Sequence, residues 1–195
     1  MNNRAISGRR SRVLTVPNAL TLVRILVIPF FLIASMRSAF TLALILFLFA
    51  GVTDVIDGYI ARRFDQRSKL GAVLDPAADK TMMIAGYILF TFHEAVRFRL
   101  PVWLTFTVFA RDVLIVFVAY LLYTRVRVTR FPPSVAGKVS TLLQIVALSA
   151  TIAVNGTPIE PAVRPLVGPV CRLALLATLY SGFDYLRRAR MALGA

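Results

Sequence analysis

Asp54 and Asp57, followed by Asp75 and Asp79, are the residues of this sequence whose type and spacing can do chemistry. The first pair is spaced i, i+3 and the second i, i+4, so on helices each pair shares one face. Gly58 and Ala61 keep the surface beside the first pair low, and the connection between the pairs is short, polar and basic. It can fold back as a tight hairpin that sets the two acidic faces opposite each other. Five of the nine acidic residues fall between Asp54 and Lys80, in a chain that is otherwise mostly apolar. A charged side chain at the centre of a membrane span costs roughly 2.5–3.5 kcal/mol, so four carboxylates there require compensating positive charge. Arg62 and Lys80 offset part of it. Opposed oxygen ligands are also what hard divalent cations take, and two such ions balance four carboxylates. A two-metal clamp of this kind suits displacement at phosphorus. The competing reading is a set of structural ion pairs with Arg62, Arg63 and Lys80, which does not account for two helically phased pairs beside small residues. Asp65 is out of phase with the four and reads as a solvated loop partner of Arg62 or Lys69.

The elements that must position these acids are membrane helices. Hydrophobic residues make up 58% of the 195, and the mean hydropathy is +0.74, well above that of a soluble domain. Six apolar runs, at about 18–36, 39–62, 72–92, 101–123, 137–155 and 166–186, approach the ~20 residues needed to cross a bilayer. No polar stretch between them is long enough to bury a core of its own. The expectation is an all-α, polytopic membrane protein of six transmembrane helices, one domain over 1–195 with 1–16 as a basic juxtamembrane segment rather than a cleaved signal. Pro76 fits the third helix if that helix begins near Gly71, because a missing amide is tolerated in a first turn. The net charge of +14 is spread over the ends of spans rather than gathered on one polar module, which argues against nucleic acid. With the N-terminus inside, the inner connections receive fifteen basic residues and the outer ones only Arg37, Arg97, Arg99 and Arg164. That is the positive-inside bias, and it places both termini in the cytoplasm.

Other residues admit two readings. Asn18, Thr21 and Arg24 follow each other at three-residue spacing at the start of the first span. They are either a helix cap with a snorkelling arginine or one polar stripe facing the acids. Arg111 and Lys138 are either phosphate-binding cations or, respectively, half of a buried ion pair with Asp112 and a snorkelling span-end lysine. The segment TRVRVTRFPPSVAGK reads as a basic loop that turns at Pro132, Pro133 and Gly137, and NGTPIEPAVRP as an outer turn between the last two spans. Asn155-Gly156-Thr157 has the form N-x-T with no other sign of a glycosylating compartment. His93, the one histidine, falls across the membrane from the acids and reads as a loop residue. Cys171 is alone, so it is a small core residue rather than half of a disulfide. Trp103 and Tyr180 read as packing or interface anchors.

The acidic segment resembles a known signature. Asp54, Asp57, Gly58, Ala61, Arg62, Gly71, Asp75 and Asp79 match, at every fixed position, the D-x2-D-G-x2-A-R-x8-G-x3-D-x3-D pattern of the CDP-alcohol phosphotransferase family. The resemblance implies an integral membrane enzyme that moves a phosphatidyl group from CDP-diacylglycerol to a second, polar alcohol and releases CMP. It implies two divalent ions, Mg2+ or Mn2+, held by Asp54, Asp57, Asp75 and Asp79, with Asp79 as the base that deprotonates the acceptor. It implies that Asp57, Gly58, Ala61, Arg62 and Gly71 surround the cytidine nucleotide. PNALTLVRI at Pro17–Ile25 and GKVSTLLQ at Gly137–Gln144 are similar to segments of bacterial phosphatidylglycerophosphate synthases and of cardiolipin synthases in the same family. Arg111, Lys138 and Thr21 are the acceptor-side residues expected on that basis. Glycerol 3-phosphate is the first expected acceptor, phosphatidylglycerol the second because RDVLI at Arg111–Ile115 reads like the cardiolipin branch, and inositol phosphate the third. The same resemblance makes a homodimer in a bacterial inner membrane, with a cytoplasm-facing site, the expectation. An ion-coupled transporter is the rival of another class, but the acids cluster at one membrane face with no relay to the other. An intramembrane prenyltransferase has differently spaced aspartates.

Overall fold

The structure, a computed structural model, describes the backbone of residues 16–63, 71–126 and 134–194, and their side chains apart from 16–21, 55, 57–63, 71–79, 123, 125, 126 and 192–194. The described chain is all helix and turn: α1 Val16–Met36, α2 Phe40–Arg63, α3 Gly71–Phe92, α4 Val102–Val126, α5 Val135–Val154 and α6 Glu160–Gly194. The first five coincide with the apolar runs to within a few residues. Three helices carry segments long and apolar enough to cross a membrane, Val102–Leu122, Val135–Val154 and Glu160–Met191, and the described apolar parts of α1, α2 and α3 are shorter.

Two boundaries differ from the sequence expectation. α6 already begins at Glu160, so Pro161–Pro165 belong to its first turns and not to a loop. Glu160 places an acid at the positive end of the helix, and Pro161 lies where the amide has no partner in any case. Pro165 and Pro169 lie within the helix at exposed positions, each removing one bond from the ladder. At the other end of the chain α1 runs from Val16, so Asn18 lies in the first helical turn rather than at a cap.

α5 packs on α6, α1 on α2 and α3, α4 on α6, and α2 on α5, while among the described residues α4 does not pack on α5. The short connections 37–39, 93–101 and 155–159 gather at one end of the bundle, opposite the acids. That far end is dry and aromatic. Phe31, Phe47, Phe90 and Phe40 are buried, with ring centroids 5.8–6.5 Å apart along the chain of contacts. Their packing fixes α1, α2 and α3 relative to one another. α1 stops in a left-handed turn at Ser38, φ 59°, where Ala39 N donates to Ala34 O at 2.9 Å and Ser38 N to Ser35 O at 3.1 Å. Those two bonds answer the last carbonyls of the helix. Gly86 lets α3 approach α5, since a Cβ there would meet Leu148 Cδ2 at 2.7 Å.

Asn155 accounts for the α3–α4 connection. Its Oδ1 accepts from Phe98 N at 2.9 Å, and its Nδ2 donates to Phe98 O at 2.9 Å and to Thr151 O at 2.7 Å. The side chain that the N-x-T pattern offers for glycosylation is therefore a structural clasp. Arg97 and Arg164 lie over the Phe98 ring, at 5.4 and 4.9 Å from its centroid. His93 is in the same connection, where its Nδ1 accepts from Ala95 N at 3.1 Å, in keeping with a loop role.

Candidate active site

The acids of the motif lie on two helices that touch each other: Asp54 and Asp57 in the closing turns of α2, Asp75 and Asp79 in the opening turns of α3. The side chains of Asp57, Asp75 and Asp79, and the surroundings of Gly58, Ala61, Arg62 and Gly71, lie outside the described residues, as do Asp65 and the Thr21 side chain. Among the described residues no three His, Cys, Asp or Glu side chains gather as a metal site. Asp54 is described, and it has a partner on α1. Arg24 Nη1 lies 2.6 Å from Asp54 Oδ1, with the arginine side chain 1% exposed and the aspartate 39%. Of the two readings of the Asn18–Thr21–Arg24 stripe, its last member thus faces the acids rather than the membrane boundary.

Among the described residues the partner of Lys80 is not a motif acid. Lys80 bonds Asp112 on α4, whose other oxygen accepts from Arg111 Nη1 at 2.9 Å. Arg111 Nη2 donates to Ser181 Oγ on α6 at 2.8 Å. A chain of polar contacts therefore runs from the residue after Asp79, through Asp112 and Arg111, to α6. The adjacent Arg111 and Asp112 are indeed an ion pair, and the arginine still has donors to spare. Its Nε is buried and has no hydrogen-bond partner among the described residues.

α5 meets this chain with its N-terminus. Ser134 is the cap, in extended conformation at φ −75° and ψ 155°, and its Oγ accepts from Gly137 N at 3.0 Å. Gly137, expected as a turn residue, instead sits in the first helical turn, because the serine cap starts the helix before it. A Cβ at Gly137 would lie 3.2 Å from Arg111 Nη2, so the missing side chain is what admits the guanidinium. One turn further, Lys138 and Thr141 line a cavity of about 550 Å³ together with Arg111, Ser181 and Tyr185. Lys138 is exposed and makes no ion pair among the described residues. Beneath the cavity, Gln144 Nε2 donates to Ser140 Oγ at 3.1 Å and to Thr178 Oγ1 at 3.0 Å, and Tyr87 Oη donates to the Gln144 carbonyl at 3.0 Å. Hydrogen-bonding side chains at helix interfaces hold α3, α5 and α6 together at this level. The segment Gly137–Gln144 thus supplies the room for Arg111, four lining residues and the clasp below.

The sequence model of the CDP-alcohol phosphatidyltransferases matches residues 14–180, which takes in both acid-bearing helices and the cavity lining from α4 and α5. The chain belongs to the CDP-alcohol phosphatidyltransferase family. It is 30% identical over 184 residues to the CDP-diacylglycerol--glycerol-3-phosphate 3-phosphatidyltransferase of Haemophilus influenzae, covering 91% of this chain and 95% of that protein. It is 33% identical over 157 residues to human cardiolipin synthase (CMP-forming), covering 71% of this chain and 50% of that protein. To the cardiolipin synthase (CMP-forming) of Streptomyces coelicolor it is 38% identical over 110 residues, 53% of this chain and 49% of the other. The chain thus spans about half the length of the two cardiolipin synthases it matches. For a CDP-alcohol phosphatidyltransferase, sequence reasoning anticipated Arg111 and Lys138 but not Ser181, Tyr185 or Ser134. Ser181 and Tyr185, spaced i, i+4 on α6, carry that face in the sequence; nothing local says that α4 lies across from it.

Proposed function

We propose that this chain is an integral membrane enzyme that transfers a phosphatidyl group from CDP-diacylglycerol to the hydroxyl of a polar acceptor that carries its own phosphate, with release of CMP. The observation that carries the reading is the convergence of Arg111 and Lys138, from different helices, on one cavity. The Lys80–Asp112–Arg111 chain connects that cavity to the residue after Asp79. Arg111, with both Nη groups anchored, is presented rigidly, and a buried unanswered Nε is a donor waiting for an anion. The acceptor phosphate therefore sits between Arg111 and Lys138, with Thr21 as a further contact.

Asp54, Asp57, Asp75 and Asp79 would hold two divalent ions, Mg2+ or Mn2+. An all-carboxylate donor set suits hard cations, and Asp54, paired with Arg24 through Oδ1, is still 39% exposed. Bound there, the ions would neutralise the pyrophosphate and the charge that grows on the leaving CMP. The reaction then asks the following of the chain. Asp79 takes the proton of the acceptor hydroxyl. The freed oxygen forms a bond to the phosphatidyl phosphorus, and the bond from that phosphorus to the bridging oxygen breaks with its electron pair leaving on CMP. Gly58, Ala61 and Gly71 leave space for the nucleotide and Arg62 holds its phosphates. An apolar groove of about 970 Å³ between α3 and α4 begins at Lys80 and Asp112 and continues past Ile84, Ile88 and Val116. It suits the donor's acyl chains.

Six transmembrane helices with both termini in the cytoplasm belong to the same proposal. At ~1.5 Å per residue, Arg24, Asp54 and Lys80 lie about 18–21 Å from the far ends of their helices, less than the ~30 Å of hydrocarbon. The charged layer is thus within the bilayer, nearer its cytoplasmic side. We also propose a bacterial inner membrane and a homodimer, on the family resemblance alone, with native mass spectrometry in detergent as the check of the latter.

The test is CMP release by the purified protein from CDP-diacylglycerol and Mg2+ with a panel of alcohols. Asp79→Asn is expected to lower turnover by roughly 10²–10⁴-fold, the usual worth of a general base, with the protein still monodisperse. Intact turnover in that variant removes Asp79 as the base. An ion-coupled transporter would release no CMP at all.

A further inference from the structure

α6 carries an arginine that the site described above does not use. Arg172 is exposed, beside the exposed Leu173 and Leu176, and it makes no ion pair or hydrogen bond among the described residues. Its depth follows from the register of α5 and α6. The Ser140 and Thr178 hydroxyls meet at 3.1 Å, so these two positions are level. At ~1.5 Å per residue, Val154 at the end of α5 lies about 21 Å outward of that level and Arg172 about 9 Å. Arg172 thus stands about 12 Å below the outer end of α5, a helix whose 20 residues match the ~30 Å of hydrocarbon. An arginine that faces lipid near the mid-plane is costly and calls for an anion. α6 does not supply one. Its acids are Glu160 and Asp184, each about 18 Å away along the helix, and Asp184 lies 3.0 Å from Arg188.

The surface outward of Arg172 is polar in an unusual way. A helical side chain leans towards the N-terminus of its own helix, which for α6 is the outer end. The positions three, four and seven residues back are Pro169, Gly168 and Pro165, all exposed. Gly168 has open space where a Cβ would stand. Pro169 has no amide to offer the Pro165 carbonyl, and a carbonyl without a donor is costly against hydrocarbon. Pro165 lies about 20 Å outward of Thr178, level with the end of α5. A notch therefore runs from a free acceptor at the membrane boundary, over a glycine, to a cation below it. Arg97 and Arg164, over the Phe98 ring at the same end, also meet no carboxylate among the described residues.

A second copy docked through this face would bring two arginines to one depth with no acid between them. A lipid of the outer leaflet brings the missing anion. We infer that the outer half of α6 binds one anionic phospholipid, whose phosphodiester bonds Arg172 and whose headgroup hydroxyl donates to the Pro165 carbonyl. No bond is made or broken there. The site is across the bilayer from the acids, so this lipid is a structural ligand and not a substrate. The inference rests on the membrane-spanning reading above and not on the chemistry proposed for the acids.

The experiment adds phosphatidylglycerol, phosphatidylmethanol or phosphatidylcholine to the full chain in detergent micelles. It follows melting temperature against the mole fraction of lipid and counts retained lipids by native mass spectrometry. Phosphatidylmethanol has the same single charge without a hydroxyl, and phosphatidylcholine has no net charge. Wild-type protein is expected to retain one phosphatidylglycerol and to be half-saturated by it at a mole fraction about tenfold or more below that for phosphatidylcholine. Arg172→Leu is expected to lose the retained copy and to raise the half-saturating phosphatidylglycerol fraction about tenfold, while melting no earlier than wild type without lipid, which identifies folded protein. Arg190→Leu, at the cytoplasmic end of the same helix, leaves the fraction within about twofold, which separates the notch from general attraction to basic residues. Pro169→Ala returns an amide to the Pro165 carbonyl and removes the advantage of phosphatidylglycerol over phosphatidylmethanol. A wild-type response equal for phosphatidylglycerol and phosphatidylcholine overturns the inference, as does an Arg172→Leu protein that titrates like wild type. Conversion of a dimer to a monomer by Arg172→Leu, with the lipid response unchanged, assigns the face to a second copy instead. Wild-type protein that is monodisperse without detergent overturns the membrane-spanning reading, and the inference with it.

Discussion

The far half of the bundle and its acid end are made from the same six helices under different rules. In the far half most polar groups are answered, although the buried Ser149 Oγ has no partner among the described residues: Asn155 uses both ends of its amide, and the buried Thr91 and Thr105 hydroxyls meet at 2.6 Å. Aromatic rings fill the remainder. At the acid end the described charges lie beside open space. Arg111 Nε is buried without an acceptor among the described residues, Asp54 stays 39% exposed beside a buried Arg24, and a cavity separates α4 from α5. Folded chains leave a buried donor unanswered where another molecule supplies the partner, and they depart from close packing at sites of function. The dry half fixes where the helices stand, and the charged half uses those fixed positions to hold Lys80, Asp112 and Arg111 in one chain of contacts beside a cavity.

The comparison breaks most readily at Arg111. If its spare donors await an anion, Arg111→Met raises the acceptor KM by roughly 10- to 100-fold, the worth of one or two hydrogen bonds to a charged group. KM for CDP-diacylglycerol changes far less. Arg111→Lys restores only part of the loss, because a single ammonium cannot reach Asp112 and Ser181 together in the way a planar fork does. An unchanged acceptor KM in Arg111→Met, with the protein folded, makes the arginine a strut of α4 and removes the contrast between the two halves.

Arg24 sharpens the contrast. Breaking a buried ion pair costs about 3–5 kcal/mol when both partners are enclosed, and Asp54 is partly open to solvent, so Arg24→Met falls at or below the lower end of that range. The melting temperature drops accordingly. The more telling readout is the stabilisation of the protein by Mg2+ in a thermal-shift titration. With one competing cation gone from beside the acids, the half-saturating Mg2+ concentration is expected to fall about three- to tenfold, although kcat falls too. Arg24→Lys keeps the wild-type titration. A Mg2+ response that is the same in all three proteins detaches Arg24 from the metal site.

What could be read from the sequence was local. The phasing of Asp54 with Asp57 and of Asp75 with Asp79 depends only on helical periodicity, and so does the existence of the helices. Arg111 and Lys138 were recognisable as candidates because the phosphorylated acceptor that the family resemblance implies needs fixed positive charge. Which residue each charge would meet was not legible. Lys80 follows Asp79 directly and looked like its neutraliser, yet it turns to Asp112, because α4 rather than α2 lies on its side of α3. Gly137 looked like a turn residue because Pro132 and Pro133 precede it. Its purpose is to admit a guanidinium from a helix 26 positions earlier, which no local pattern contains. The start of α6 was missed for the opposite reason. Its prolines are strong loop signals, but Pro161 falls in a first turn, which has no use for the amide it lacks, and the helix absorbs the bond that Pro165 removes.

The smallest expected effect belongs to the far half, and it tests whether that half is only a scaffold. Asn155→Ala removes three hydrogen bonds, two to the Phe98 backbone and one to the Thr151 carbonyl. Phe98 is half-buried at a connection between helices, so water can replace part of what is lost, and a net cost of about 1–2 kcal/mol follows from ~1 kcal/mol per bond. For a chain of this size that lowers the melting temperature by roughly 2–8 °C. Because Asn155 lies at the opposite end of α5 from Lys138, kcat and both KM values are expected to stay within about twofold of wild type. A variant that melts earlier and works normally keeps the two halves separable. One that keeps its melting temperature but loses turnover places the 93–101 connection in the catalytic cycle, and the division between scaffold and site then fails.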